Sequence, residues 1–218
     1  MSDTKQQETT MIATMDQVPS TKGPRAESPL YHAELAKLAQ ASSRNAGVSM
    51  QELAFVGHLV IRGDASNSKL QNAMKEVLEI ELPGKLESQS KGDVCICWIA
   101  PDEWLVMLPG QDCFAVENKL RDALEGHFAI VNVSGGQTIL NLSGVHAQDV
   151  LKKSTGYDVH ERNFPVGKVV TTTLAKSQAI IMRTEENEWQ LIIRRSFSDY
   201  LWNWLMIAAD EYGVSITV

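Results

Sequence analysis

The sequence predicts an α+β fold built from two similar half-repeats, each running strand, helix, hairpin, helix. Three observations carry this. Gly63 and Gly144 each close a strand-like run, and Leu70 and Leu151 each follow seven residues later in a helix-like run. The turn Pro83-Gly84-Lys85 is answered by Pro165-Val166-Gly167-Lys168. Glu103-Trp104-Leu105 is answered by Glu188-Trp189-Gln190-Leu191, and both lead through an apolar run into a helix. The offset between the halves is 81 residues at the glycines and 85 at Trp104 and Trp189, so the register slips only gradually. Two copies are too few for a solenoid, and halves of this kind pack their sheets and helices into one pseudo-symmetric unit.

The elements follow in order. Residues 1–27 are rich in Thr, Gln, Ser and Pro and poor in large apolar side chains, which predicts a disordered tail before a folded domain at 28–218. Ser28 as cap, Pro29 in the first turn, and Leu35, Leu38 and Ala39 at helical spacing predict an arm helix. The first half-repeat spans roughly 53–126. "LAFVGHLVIRG" reads as a strand or strand pair, and Leu70, Met74, Val77 and Leu78 form a helical stripe. "VCICWIAPDEWLVMLPG" reads as a hairpin about Pro101-Asp102-Glu103. Val116, Leu120, Ala123 and Leu124 place the next helix, with Gly126 as its stop. The second half-repeat, roughly 128–213, holds two strands about a Gly135-Gly136 hairpin turn and a short helix ending near Gly156. Three strands at 169–195 and a final helix complete it.

Composition narrows the function. With 218 residues, 44% of them hydrophobic, the chain can bury a sizeable core. A net charge of -7 disfavours nucleic acid as a general partner. No stretch approaches the ~20 apolar residues of a membrane span, and the N-terminal residues show no signal-peptide pattern. Three sparse cysteines, Cys95, Cys97 and Cys113, fit a reducing compartment, so the expected location is the cytoplasm. On a strand, Cys95 and Cys97 share a face and act as small core hydrophobes.

No constellation for catalysis emerges. Gly135-Gly136 lacks the rest of a phosphate-binding fingerprint. Ser143 and Ser196 lie near helix starts, where serine caps. None of the histidines 32, 58, 127, 146 and 160 is paired at metal-ligand spacing. His160 in "DVHER" reads either as an acid–base group or as part of a solvated loop. Catalytic, cofactor-binding and metal-binding residues are therefore all expected to be none in this chain.

The segment "RRSFSDYLWNWLMIAADEYG" holds the last helix. Ser196 and Asp199 outline a capping box. At ~100° per residue, Phe197, Tyr200, Leu201, Trp204, Leu205 and Ala208 cluster as the core face, with Trp202 and Met206 opposite. Large apolar residues outside the core face point to a partner interface, or the chain covers the helix on both sides.

These residues also carry a family likeness. "PDEWLVMLPG", "VSGGQTILNLSG", "ERNFPVGKVVTTTLAK" and the final helix resemble the gamma subunit of heterotetrameric sarcosine oxidase, over about Ser28 to Val218. The resemblance implies a folate-binding aminomethyltransferase (glycine-cleavage T-protein) type fold. It implies alpha, beta and delta chains as partners. It implies a complex that oxidises sarcosine to glycine and peroxide and passes a one-carbon unit to tetrahydrofolate. FAD, FMN and NAD are then expected in alpha and beta, zinc in delta, and no cofactor here. On this reading the chain is a non-catalytic structural subunit, with Trp202, Met206, Arg194 and Arg195 at the interface. The arginines either pair with a partner's carboxylates or flank the strand end as solvated charges. One rival is a free-standing folate-binding protein or aminomethyltransferase-like enzyme, using Asp102 or Glu103 on the pterin. Another is a homo-oligomeric scaffold.

Overall fold

The computed structural model describes residues 26–42 and 46–218. The tail expected at 1–27 falls outside these residues except for its last two. Eleven strands and five α-helices are found among the described residues. The helices are α1 (Leu35–Ala41), α2 (Ser68–Leu78), α3 (Cys113–Ala123), α4 (Ala147–Ser154) and α5 (Ser198–Ala209). The early strands are β1 (Val48–Leu53), β2 (Val56–Arg62), β3 (Ser88–Lys91), β4 (Val94–Ala100), β5 (Glu103–Pro109) and β6 (Ala129–Asn132). The later ones are β7 (Gln137–Ser143), β8 (Val169–Leu174), β9 (Ser177–Glu185), β10 (Glu188–Arg194) and β11 (Val214–Thr217).

The strands form a five-stranded sheet of order β3-β4-β5-β2-β6 and a six-stranded sheet of order β11-β1-β7-β10-β9-β8. The orders β3-β4-β5-β2 and β8-β9-β10-β7 are the same pattern, so the repeat seen in the sequence is a repeat in space. The first strands exchange places. β1 leads into β2 but pairs with β7 of the other sheet, and β6 leads into β7 but pairs with β2. Each half therefore lends a strand to its twin.

This exchange corrects one expectation. Residues Ser134–Gly136 form a 3-10 turn that carries the chain from one sheet to the other, and not a tight hairpin. The Ser134 hydroxyl accepts from the His58 N–H at 2.9 Å, and His58 O accepts from the Val133 N–H, fixing the crossing.

Alternation along the strands sorts side chains into layers. Leu59, Ile61, Ile96, Trp104, Val106 and Leu108 pack under α2 and α3. Leu140, Leu142, Trp189, Leu191 and Ile193 pack under α4 and α5. Between the sheets lie Cys97, Leu105 and Met107 from one side and Ile139, Ile180, Met182 and Ile192 from the other. The chain is thus a helix–sheet–sheet–helix stack. No helix among the described residues is long and apolar enough to cross a membrane.

The matched turns meet at the pseudo-symmetric centre. Gly167 O accepts from Ser88 N–H at 2.8 Å and from Ser88 Oγ at 2.9 Å, and Leu86 O accepts from Val169 N–H at 3.0 Å. The matched tryptophans are both buried, but they are tied differently. Trp104 Nε1 donates to Pro83 O at 3.0 Å. Trp189 instead packs edge-on to Phe164 and beneath the buried guanidinium of Arg183, which donates to Phe164 O at 2.8 Å.

The N-terminal arm also departs from expectation. Ser28 caps no helix, because a 3-10 turn at Tyr31–Ala33 intervenes and α1 starts only at Leu35. Its hydroxyl donates to Glu52 Oε2 at 2.7 Å instead. Leu30, fully buried, plugs the six-stranded half, while Leu38 is exposed.

Candidate functional site

Helix α5 is the element most unlike its twin α3 in what it leaves outside. Its buried stripe is Ser198, Leu201, Trp202, Leu205 and Ala209. These positions recur at three and four residues, the spacing of one helix face. Trp202 is only 4% exposed and belongs to the core. The sequence-based phase is therefore corrected, and Trp202 is not a surface residue of this chain. The cause is composition: apolar residues occupy nearly every position from Tyr200 to Ala209, so no polar side marks the phase of the helix.

The outward stripe is Phe197, Tyr200, Trp204 and Ile207, again at three- and four-residue spacing. Phe197 is 40% exposed, Tyr200 37% and Ile207 78%, although the first two were expected inside. Trp204 is half-buried. Its Nε1 donates to Ser154 Oγ at 3.1 Å, locking α5 against α4, and its ring lies 6.3 Å from that of Tyr200. Met206 is half-buried against the core. Tyr31, 47% exposed, adds apolar surface nearby, since the neighbouring His32 Nε2 sits 2.5 Å from Asp199 Oδ1. Sequence reasoning missed Ile207. Its signal was the 197–200–204–207 spacing, legible once Leu201 and Trp202 are both assigned inward.

The helix start differs from the expected capping box. A 3-10 turn, Arg195–Phe197, precedes the helix, and Phe197 holds the cap position without a side-chain bond. Ser198 Oγ donates back to Arg195 O at 2.8 Å, and Asp199 turns to His32. Ser143 does not cap either, because His146 occupies that position before α4. Arg194 and Arg195 are exposed where β10 runs into α5. Neither pairs with a carboxylate among the described residues, and Arg195 reaches only Glu27 O, at 3.5 Å.

The remaining candidates disperse. Asp102 and Glu103 both face Arg62, at 2.8 and 3.5 Å, in a half-exposed ion pair that raises the guanidinium pKa. Asp102 borders a concave surface with Arg62, His127 and Phe128. His160 lies in an exposed loop, its Nδ1 accepting from Arg162 N–H at 3.2 Å. Cys95 and Cys97 share the inner face of β4 as expected, whereas Cys113 starts α3 on the other face of that sheet. No group of three His, Cys, Asp or Glu side chains among the described residues is placed to hold a metal. His58 was not singled out by sequence. Burial lowers its pKa to about 4, and neither ring nitrogen has a hydrogen-bond partner among the described residues.

Three comparisons bear on this arrangement. Residues 62–211 match the family described as "Sarcosine oxidase, gamma subunit family". The sarcosine oxidase subunit gamma of Corynebacterium sp. (strain U-96) is 30% identical over 197 residues, 86% of this chain and 92% of that one. Its counterpart in an Arthrobacter species is 33% identical over 190 residues, 85% of this chain and 91% of that one. Among solved structures, a chain of heterotetrameric sarcosine oxidase from Corynebacterium sp. U-96 superposes with a TM-score of 0.77 at 28% identity, covering 86% of this chain and 96% of that one. The glycine cleavage system aminomethyltransferase T from Bartonella henselae superposes at 0.65 with 12% identity, over 87% of this chain and 58% of that one, which is a likeness of fold.

Proposed function

The chain belongs to the sarcosine oxidase gamma subunit family, and from that premise we propose that it is a structural subunit without an active site of its own. Its place is in a flavin-dependent heterotetramer with alpha, beta and delta chains. In that assembly sarcosine and oxygen give glycine and peroxide, and a one-carbon unit passes to tetrahydrofolate. FAD, FMN, NAD and zinc sit on the other three chains, in the cytoplasm.

The observation that carries this reading is the outward stripe of α5. Four aromatic or aliphatic side chains on one helix face, two of them large aromatics more than a third exposed, cost solvation free energy unless another surface covers them. Arg194 and Arg195 stand beside Phe197 at the head of the stripe without carboxylate partners among the described residues. Such a rim of cations around an apolar centre fits a partner that presents apolar residues flanked by Asp or Glu. Met206, half-buried against the core, lies on the far side of α5 from this stripe.

The rival enzyme reading asks Asp102 or Glu103 to read a pterin ring. Asp102 is hydrogen-bonded to Arg62 and Glu103 is ion-paired with it, at a solvent-facing edge. A ring-reading carboxylate needs its oxygens free and shielded from water, so the geometry favours the subunit.

Co-expression of this chain, tagged, with the alpha, beta and delta chains tests the reading. Stoichiometric co-purification is expected, with flavin in the complex and none in the isolated chain, and with peroxide formation from sarcosine dependent on the complex. Purification of a stable lone chain that binds tetrahydrofolate contradicts it.

A further inference from the structure

The inner faces of the two sheets bring three sulfur atoms together. Cys95 Sγ lies 3.8 Å from Cys97 Sγ on the same strand. Met182 Sδ, on β9 of the opposite sheet, lies 3.8 Å from Cys95 Sγ and 3.4 Å from Cys97 Sγ. We propose that Cys95, Cys97 and Met182 form a binding site for a soft monovalent cation, Cu(I), held between the sheets.

The triangle has the right size. The point equidistant from its three corners lies about 2.1 Å from each sulfur, near the ~2.3 Å of a metal–thiolate bond. The side chains therefore need to relax by only tenths of an ångström. The donor set selects the metal: two thiols and a thioether are soft ligands that suit Cu(I). Structural Zn(II) demands four ligands from Cys, His or carboxylate, and among the described residues no third residue of those types joins the two cysteines. The geometry is preset by the fold, since the C-x-C spacing on a strand aims both thiols at one face and sheet packing supplies the thioether.

The site has a way in. Cys95, Met107 and Met182 line a cavity of about 310 Å³ at the edge between the sheets, together with Ser90, Asp93 and Gln190. Cys97 closes the inner end, fully buried. The ion therefore meets Cys95, which lines the cavity, before Cys97. Uptake moves no electrons. Cu(I) enters as the monovalent ion, two Cu–S(thiolate) bonds form, and both thiol protons pass to solvent, so affinity rises with pH.

The test offers the full chain, with reduced thiols and without oxygen, Cu(I) from its bicinchoninate complex. The expected result is transfer of a single equivalent, with an ultraviolet thiolate-to-copper charge-transfer band and release of protons. Met182→Leu nearly conserves volume and keeps the core filled. It and Cys97→Ser should each weaken retention by more than roughly tenfold, the lower end for losing even an indirect metal contact. Cys113→Ser, far from the triad, should retain copper, and thermal melts verify that every variant is folded. Failure of the folded chain to take Cu(I) from the chelator overturns the proposal. So does unchanged retention in folded Met182→Leu and Cys97→Ser, which would place the metal on other sulfurs.

Discussion

Thr138 Oγ1 on β7 donates a 2.9 Å hydrogen bond to Glu52 Oε1 on β1, across the seam where the first half lends its strand to the second. The same carboxylate accepts from Ser28 Oγ and Leu30 N–H, so one acidic side chain joins the arm, the lent strand and the receiving sheet. Bonds to a charged acceptor contribute more than neutral ones, and losing the acceptor strands its donors. Glu52→Ala is expected to cost about 2 kcal/mol of stability and to free the arm. Limited proteolysis checks the arm, with cleavage rising first between Ser28 and Ala41.

Trp202 and Ile207, five residues apart on α5, should respond in opposite ways. Trp202→Ala removes a buried aromatic and is expected to cost about 3–5 kcal/mol. Ile207→Asp and Tyr200→Ser change exposed positions and should leave stability within about 0.5 kcal/mol, while reducing co-purification of partner chains. Denaturant melts and pull-downs on the same three variants separate the effects. If Ile207→Asp leaves assembly intact, the outward stripe is not the contact.

His58 gives stability a pH dependence of definite sign. Its folded pKa is about 4, below the ordinary 6.5, because burial penalises the imidazolium. Backbone groups of Ser134 and Val56 offset only part of that penalty. Above the unfolded value both states are neutral and stability is full. As pH falls below it, the unfolded chain takes up a proton that the folded chain refuses, and stability is lost down to about 4. The integrated loss is about 3 kcal/mol, of which about 2 falls between pH 7 and pH 5. His58→Leu should remove that part of the slope, read as the difference between wild-type and variant melts at the two pH values.

Gly63 and Gly144 correspond in sequence but not in tolerance. Gly144 has φ +115°, and a Cβ there would lie 2.4 Å from Gly47 O, a backbone atom. Gly63 has no such backbone neighbour, and its Cβ would meet only Leu70 Cδ2 at 3.1 Å. Gly144→Ala is expected to destabilise by more than about 2 kcal/mol and Gly63→Ala by less than about 1 kcal/mol. Thermal unfolding of the pair decides it.

The repeat was legible because duplicated halves print the same landmarks twice: Gly63 with Gly144, Trp104 with Trp189, and one turn with the other. The strand exchange was not. Periodicity reports which face of a strand is buried and says nothing of which strand lies beside it, and β1 pairs with β7 some 86 residues downstream at Leu53 and Ile139. For the same reason neither Glu52 nor His58 stood out, as the partners of Glu52 and the strands that flank His58 on either side are remote in sequence. The location of the surface feature was legible, since the final helix was singled out. Its phase was not, because an almost wholly apolar helix has no polar side to orient it.

The most direct test of the central claim is native mass spectrometry of the assembly purified through a tag on this chain after co-expression with alpha, beta and delta chains. The account predicts one species with a single copy of this chain, all three partners and bound flavin. A mass corresponding to this chain alone, or to copies of itself, with the other three assembling into a sarcosine-oxidising complex without it, would contradict the account.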